Sequence, residues 1–294
     1  MSSLIHKIPK VRGKLKENAN IASSSWFKVG GPAELLFTPA DELDLLNFFI
    51  NLDSDIPIFV IGASSNILIR DGGIKGVVIK LGTAFNKINV IDDKLFVGAY
   101  VKNMILAKYA RNNNLPGFNF LSGIPGTVGG SIKMNAGCYG REMSDIISKI
   151  KIIDRKNGFS EITIKNLNMN YRKSSLPDDS VVVSAFLKYK KKDNYKIINN
   201  IKEQRLKTQP INELTGGSTF KNPPGYKAWK LIDESGCRGL SIGGAKISDM
   251  HTNFIINYDN ATANDIETLG NKVKEKVFAN SGIILEWEIL RVGF

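Results

Sequence analysis

Short apolar runs and helical spacings follow one another along this chain with no linker or repeat between them. In "PADELDLLNFFINLD" the apolar residues Leu43, Leu46, Phe49 and Ile50 recur at helical spacing after a Pro-Ala-Asp start, which predicts a helix with those four inward. "IPIFVIG", "NILIRDGG" and "GVVIKLG" are short β-branched runs and read as buried strands. "KLFVGAYV" is another strand. "VKNMILAKYARNNN" after it predicts a helix with Met104, Leu106, Ala107 and Ala110 inward. Two alternating runs flank Asn157-Gly158 in "KIKIIDRKNGFSEITIK", a strong hairpin signal. "SVVVSAFLKYK" is a further strand, and "YKIINNIKEQRLKTQP" is helical until Pro210 stops it. The chain closes as strand ("TNFIIN"), helix ("TANDIETLGNKVKEKVF") and strand ("GIILEWEILRV"). Thr262 and Asp265 have capping-box spacing at the start of that helix. The class is α+β, with a boundary near Asp193.

The length, 294 residues, and a 43% hydrophobic, 23% charged composition allow a substantial core and two or three subdomains. No apolar run is long enough for a membrane span, and the basic N-terminus lacks the apolar stretch of a secretory signal. Cys138 and Cys237 are too few for a disulfide framework, so a reducing cytoplasm is expected. His6 and His251 share no ligand spacing with the cysteines, so no metal site is expected. The net charge of +12 suits an anionic partner, either nucleic acid or a phosphate-bearing small molecule. The lysines are scattered, however, and the one tight cluster, Lys188 to Lys192, follows a strand as a solvated end would. No nucleic-acid partner is expected.

"SGIPGTVGGSIKMNAGCYG" holds six glycines in nineteen residues, a density that predicts an irregular loop rather than helix or strand. It is nearly uncharged, with Ile124, Val128 and Ile132 between its glycines, unlike a solvated loop. Something flat and large over it would explain both features. "VIGASSNILIRDGG" also ends a strand in a turn of small residues. It lacks the second and third glycines of a Rossmann turn, and a strand follows where a helix should. Alone it reads either as a tight strand–turn–strand or as a turn whose N–H and hydroxyl groups wrap a pyrophosphate. Two such turns in one chain point to a dinucleotide held by both.

These turns belong to a longer series. "SSSWFKVGGPAELLFTP", "VIGASSNILIRDGG", "SGIPGTVGGSIKMNAGCYG", "YRKSS", "GGSTFKNPPG", "LIDESGCRGLSIGGAKIS" and "LEWEILRVG" occur in this order from about residue 18 to residue 293. In order and spacing they resemble the UDP-N-acetylenolpyruvoylglucosamine reductase family, flavoenzymes of peptidoglycan precursor synthesis. The resemblance implies a vanillyl-alcohol-oxidase-type FAD-binding fold in two subdomains, breaking near residue 85 within 1–192, then an α+β substrate domain over 193–294. It implies non-covalent FAD held by Gly62, Ala63, Ser64, Ser65, Asn66 and Ile67, by Gly123, Ile124, Pro125, Gly126, Thr127, Gly129 and Gly130, and by Asn135, Ala136 and Gly137. NADPH is the implied hydride donor and an enolpyruvyl sugar nucleotide the acceptor; nothing in the sequence demands more than a monomer.

By the same resemblance Arg172 stabilises the enolate-like charge, Ser218 donates the proton and Glu288 supports that step. Chemistry agrees with the types, because a guanidinium presents a rigid fork to a carboxylate, whereas a serine hydroxyl must be placed close to the carbon it protonates. Glu286 and Glu288 share a face under strict alternation, so one of the two is a solvated residue. The family pattern has proline where this chain has Trp287. Tyr171, Lys207, Asn222 and Lys230 are the implied substrate contacts; the lysines read equally well as exposed surface. About ten residues separate Asn222 from Asp233, the spacing of the shorter class, which lacks a tyrosine lid. Tyr226 is either a cover for the nucleotide or a core residue of the next helix. Two other classes compete, an oxidase with covalently attached flavin and a colourless nucleotide-binding protein.

Overall fold

A computed structural model describes residues 4–189 and 201–294. Its helices are α1 (Glu42–Asn51), α2 (Asn103–Asn112), α3 (Val128–Lys133), α4 (Ile201–Thr208), α5 (Ala228–Glu234) and α6 (Ala263–Ser281). Contacts divide the chain into two units. The first is 1–19, 34–63 and 76–202; the second is 20–33, 64–75 and 203–294. The sequence-based boundary near Asp193 lies outside the described residues. Two segments expected in the domain 1–192, residues 20–33 and 64–75, pack instead with the C-terminal part.

The first unit holds a four-stranded and a five-stranded sheet. Strands Ile58–Ile61 and Ile74–Lys80 pair in parallel in the former. The latter runs Gly158–Thr163, Ile147–Asp154, Val181–Lys188, Lys94–Gly98, Ile88–Ile91, with antiparallel pairing throughout. The expected hairpin is present: Asp154 faces Gly158, and the Asp154 carboxylate accepts the Asn157 N–H at 2.7 Å. Both sheets contribute to one hydrophobic core, from Leu35 to Leu187.

Two helix faces differ from expectation. In α1 the buried residues are Asp44, Leu45, Phe48 and Phe49, while Leu43 and Ile50 are exposed. The helix is apolar on more than one side, and Asp44 sets its rotation. Its carboxylate accepts the main-chain N–H groups of Arg12, Gly13 and Ala40, partners that it reaches only when turned inward. In α2 Leu106, Ala107 and Ala110 are buried as expected, whereas Met104 is exposed and Asn103 is buried in its place. Asn103 donates to the Ile124 carbonyl at 3.2 Å and to Ser131 Oγ at 2.7 Å.

In the second unit α6 packs over the strands Ser241–Ile242, Ala245–Ile247 and Ile255–Asn257. Its capping box forms as expected, with Thr262 Oγ1 accepting the Asp265 N–H and Asp265 accepting back from Thr262. Asp71 adds a second carboxylate there, taking the N–H groups of Ala263 and Asn264. The predicted strand 283–292 is regular only over Leu290–Val292, which pairs in parallel with Ile67–Ile69. The "VGG" and "RDGG" turns press backbone on backbone, and a Cβ on Gly73 would lie 2.1 Å from the Pro32 oxygen. These glycines are required by packing.

One carboxylate joins the ends of this unit. Glu267 takes Arg70 in a two-pronged ion pair at 2.8 and 2.9 Å and Arg291 at 2.9 Å. Hydrogen bonding from Arg70, and then the charges of both arginines, hold its carboxyl below the usual carboxylate range. A carboxyl depressed in the folded chain stabilises above its unfolded pKa, and that stability is lost as pH falls through the folded value. Glu267→Gln is therefore expected to cost about 1–2 kcal/mol at pH 7, modest because Arg70 is 40% exposed and solvent screens the pair. The gap between variant and parent closes as pH falls below about 4. Urea unfolding of both proteins across that range checks it.

Candidate functional site

The glycine loop is not wholly irregular, because Val128–Lys133 forms a helix within it. Tertiary bonds override glycine's preference here. The N–H groups of Val128 and Gly129 donate to the carbonyls of Val101 and Ala99, both at 2.9 Å. A Cβ on Gly129 would lie 2.9 Å from Ala99 Cβ, so this glycine lets α3 sit against the strand end. Gly126 has φ +114°, the region that only glycine enters freely. Gly62 comes against this loop, with its Cβ position 2.6 Å from Thr127 Oγ1. The first unit thus brings together the Gly62 turn and the Thr127 turn that the sequence pairs as dinucleotide contacts.

Asn135, also at positive φ and fully buried, donates to the Asn170 carbonyl at 3.0 Å and accepts from the Ser144 N–H at 3.0 Å. It ties the "MNAG" segment to the hairpin Met169–Asn170/Lys173–Ser174, whose turn is Tyr171-Arg172. Arg172 sits at φ +57° and donates from Nη2 to the Gly137 carbonyl at 2.9 Å, with its guanidinium 4.8 Å from the Tyr171 ring.

In the second unit Ser64 is 3% exposed at φ +51°, and its hydroxyl has no hydrogen-bond partner among the described residues. Asn66 lies on the strand of Glu288, donating from Nδ2 to the Glu288 carbonyl at 3.0 Å, while its own carbonyl accepts the Leu290 N–H at 3.0 Å. Ser218 follows Gly217, at φ +84°, and precedes a short segment paired on both sides. The Glu288 N–H donates to the Thr219 carbonyl at 2.8 Å, and the Lys221 N–H to the Glu286 carbonyl at 2.9 Å. Ser218 and Glu288, 70 positions apart in sequence, therefore lie at the ends of two short segments joined by the Phe220–Trp287 bridge. Of the two glutamates on that face, Glu286 is exposed and ion-paired with Lys221 at 3.3 Å, and Glu288 is half-buried. Trp287 packs on Phe220, ring centres 5.1 Å apart, and directly against Gly270, where a Cβ would fall 2.1 Å from the indole. The position where this chain departs from the family's proline is thus accommodated by a helical glycine.

The residues expected at the substrate differ in kind. Asn222 accepts the Ala228 N–H at 2.9 Å and so caps α5. Lys207 and Lys230 are exposed, and Lys230 lies 3.7 Å from Glu234 one turn on. Tyr226 is 55% exposed and is not a core residue. Among the described residues, no group of three or more His, Cys, Asp or Glu could hold a metal ion.

The model of the UDP-N-acetylenolpyruvoylglucosamine reductase C-terminal domain matches residues 209–292, and that of an FAD binding domain matches 33–160. UDP-N-acetylenolpyruvoylglucosamine reductases of Rickettsia typhi and Rickettsia prowazekii are each 49% identical over 289 residues, covering 97% of this chain and 98% of theirs. The chain belongs to the UDP-N-acetylenolpyruvoylglucosamine reductase family. The crystal structure of the Thermus caldophilus member superposes with a TM-score of 0.82 at 33% identity, over 97% of this chain and 100% of that one. The expected class, α+β with a vanillyl-alcohol-oxidase-type FAD-binding fold, therefore stands. Within this family frame the chain's own atoms suit FAD. The buried Ser64 hydroxyl and the buried Asn103 Oδ1 have no partner among the described residues, and Gly62 lacks the Cβ that would crowd its turn. Two buried asparagines beside these segments are not singled out by the sequence, Asn103 and Asn253. The signal for Asn103 was a polar residue at a helix position that turns inward.

Proposed function

We propose that this chain reduces UDP-N-acetylglucosamine enolpyruvate to UDP-N-acetylmuramate with NADPH, a step of peptidoglycan precursor synthesis. The observation that carries the reading is 49% identity to reductases of this name over nearly the full length, with Arg172, Ser218 and Glu288 each in its matching motif. The chemistry that bound FAD would supply is hydride transfer, from NADPH to the methylene carbon of the enol ether. Residues 1–192 form the FAD-binding part in this reading and residues 193–294 the substrate part. The phosphates and ring system fall to Gly62, Ala63, Ser64, Ser65, Asn66 and Ile67, to the 123–130 loop, and to Asn135, Ala136 and Gly137, with no covalent link.

The protein's part is position and field. Addition at the methylene carbon leaves an electron pair on the neighbouring carbon, delocalised into the carboxylate. The Arg172 guanidinium offers two parallel N–H groups to that carboxylate. Ser218 passes its hydroxyl proton to the carbon, and Glu288 supports that transfer. Tyr171, Lys207, Asn222 and Lys230 serve the sugar nucleotide. None of these roles needs a second copy of the chain, a nucleic acid or a membrane, and among the described residues no helix is long and apolar enough to cross one. The reading places the enzyme in the cytoplasm as a monomer.

The test is one anaerobic titration of the purified protein followed by its visible spectrum. A yellow protein that bleaches with NADPH and regains colour with the enolpyruvyl sugar nucleotide is the expected result. Bleaching by a simple sugar with recovery by oxygen, and none by the sugar nucleotide, would make it an oxidase, and a colourless protein that takes up no FAD would overturn the reading.

A further inference from the structure

We infer that Asn253 is a positioning residue for Ser218, acting through the backbone of the two residues that follow it. Asn253 is 4% exposed, and every polar group it owns is engaged. Its side chain closes a two-bond ring on one residue: Oδ1 accepts the Phe220 N–H at 3.0 Å and Nδ2 donates to the Phe220 carbonyl at 2.8 Å. Its carbonyl accepts the Thr219 N–H at 2.8 Å, and its N–H donates to His251 Nδ1 at 3.3 Å. The amide thus replaces a missing strand partner. Strand Ile255–Asn257 begins two residues later, so the Phe220 N–H and carbonyl find on that side the amide rather than a strand.

The effect on Ser218 follows from its surroundings. Upstream, Gly216 is pressed on the Phe27 ring and Thr215 is bonded to the Ile255 carbonyl at 2.7 Å, while Gly217 between them and Ser218 has φ +84° and no neighbour within 4 Å of a Cβ position. The downstream side is fixed by Asn253, by the Glu288 N–H on the Thr219 carbonyl at 2.8 Å and by the Ile255 N–H on Thr219 Oγ1 at 3.3 Å. Asn253 holds 219–220 in register with the segment 286–288, and Ser218 leaves that register at a defined point. A proton donor displaced by about 1 Å loses on the order of 100-fold in rate. The clamp is selective for an amide, because it needs one acceptor and one donor on a single flat group.

This inference rests on Ser218 being the proton donor. The experiment uses the FAD-loaded enzyme and two variants, Asn253→Ala and Asn253→Asp, with the two half-reactions followed separately by flavin absorbance. The expected result is NADPH-driven bleaching within about twofold of the parent and recovery by the sugar nucleotide slowed about 100-fold. In Asn253→Asp an ionised carboxylate keeps the Phe220 N–H but cannot donate to the carbonyl, whereas the protonated acid does both. Its defect is therefore expected to shrink from about pH 8 to about pH 5.5, burial raising the new carboxyl's pKa. Asn253→Ala shows no such recovery. The groups facing this point, His251, Glu288 and the Lys221–Glu286 pair, are common to all three proteins, so each variant is divided by the parent at the same pH. Equal slowing of both half-reactions, an unslowed second half-reaction, or loss of flavin and of the cooperative melt in both variants would overturn the clamp. A Ser218→Ala enzyme with unslowed colour recovery would instead remove the proton-donor reading itself.

Discussion

Ser218→Ala is expected to leave NADPH-driven bleaching of the flavin almost unchanged and to slow reoxidation by the sugar nucleotide by several decades, on the order of 4 kcal/mol of barrier or more. The asymmetry follows from what each half-reaction demands. Hydride arriving from NADPH requires no protonated carbon, and Ser218 has no part in it. The second half-reaction leaves an electron pair on carbon, and without the hydroxyl only water can supply the proton. A serine is a poor acid, so its value lies in placement, which Gly217 on one side and the paired residues 219–220 on the other define. Stopped-flow absorbance resolves the two steps. Equal losses in both would remove Ser218 from the chemistry.

The second large effect is expected at Arg172, where stability and activity should separate. Arg172 occupies φ +57° at the second position of a two-residue turn, a conformation that costs a non-glycine residue about 1 kcal/mol or more. Glycine there removes the strain but also the bond to the Gly137 carbonyl at 2.9 Å, worth about 1 kcal/mol. The two nearly cancel, so Arg172→Gly should unfold in urea at much the same midpoint as the parent. Its turnover should nevertheless fall by about three decades, the scale on which removal of one charge-stabilising group is felt. Arg172→Lys keeps the charge without the fork and should lie between the two. A glycine variant with near-parental turnover would mean that the arginine serves only the hairpin.

The elements were legible in the sequence where their causes are local. The capping box of α6 and the Asn157-Gly158 hairpin need only residues three or four apart, and both appear as read. The inward turn of Asp44 in α1 and of Asn103 in α2 was not legible, because they reach partners 32 and 28 positions away. Helix α3 was hidden by its glycines, since its first N–H groups are satisfied by Ala99 and Val101 rather than by propensity. For the site, residue types and order were enough to name Ser218, Arg172 and Glu288 as candidates. The arrangement was not readable. Nothing in the spacing says that Asn66 and Glu288, 222 positions apart, are hydrogen-bonded, or that an asparagine stands in for a strand at Phe220.

The second unit is assembled from three stretches of chain, and its most remote pairing joins Ile67–Ile69 to Leu290–Val292. That pairing has a consequence in time. On a ribosome, residues 20–33 and 64–75 emerge early, and their buried members Phe27, Val29 and Leu68 then have no core to enter. They must wait for some two hundred further residues, while the first unit has most of its own strands at hand. The last five residues act as the latch. A chain stopped short of Leu290 would carry a finished first unit and a second that cannot close, with apolar segments left to water or to a chaperone.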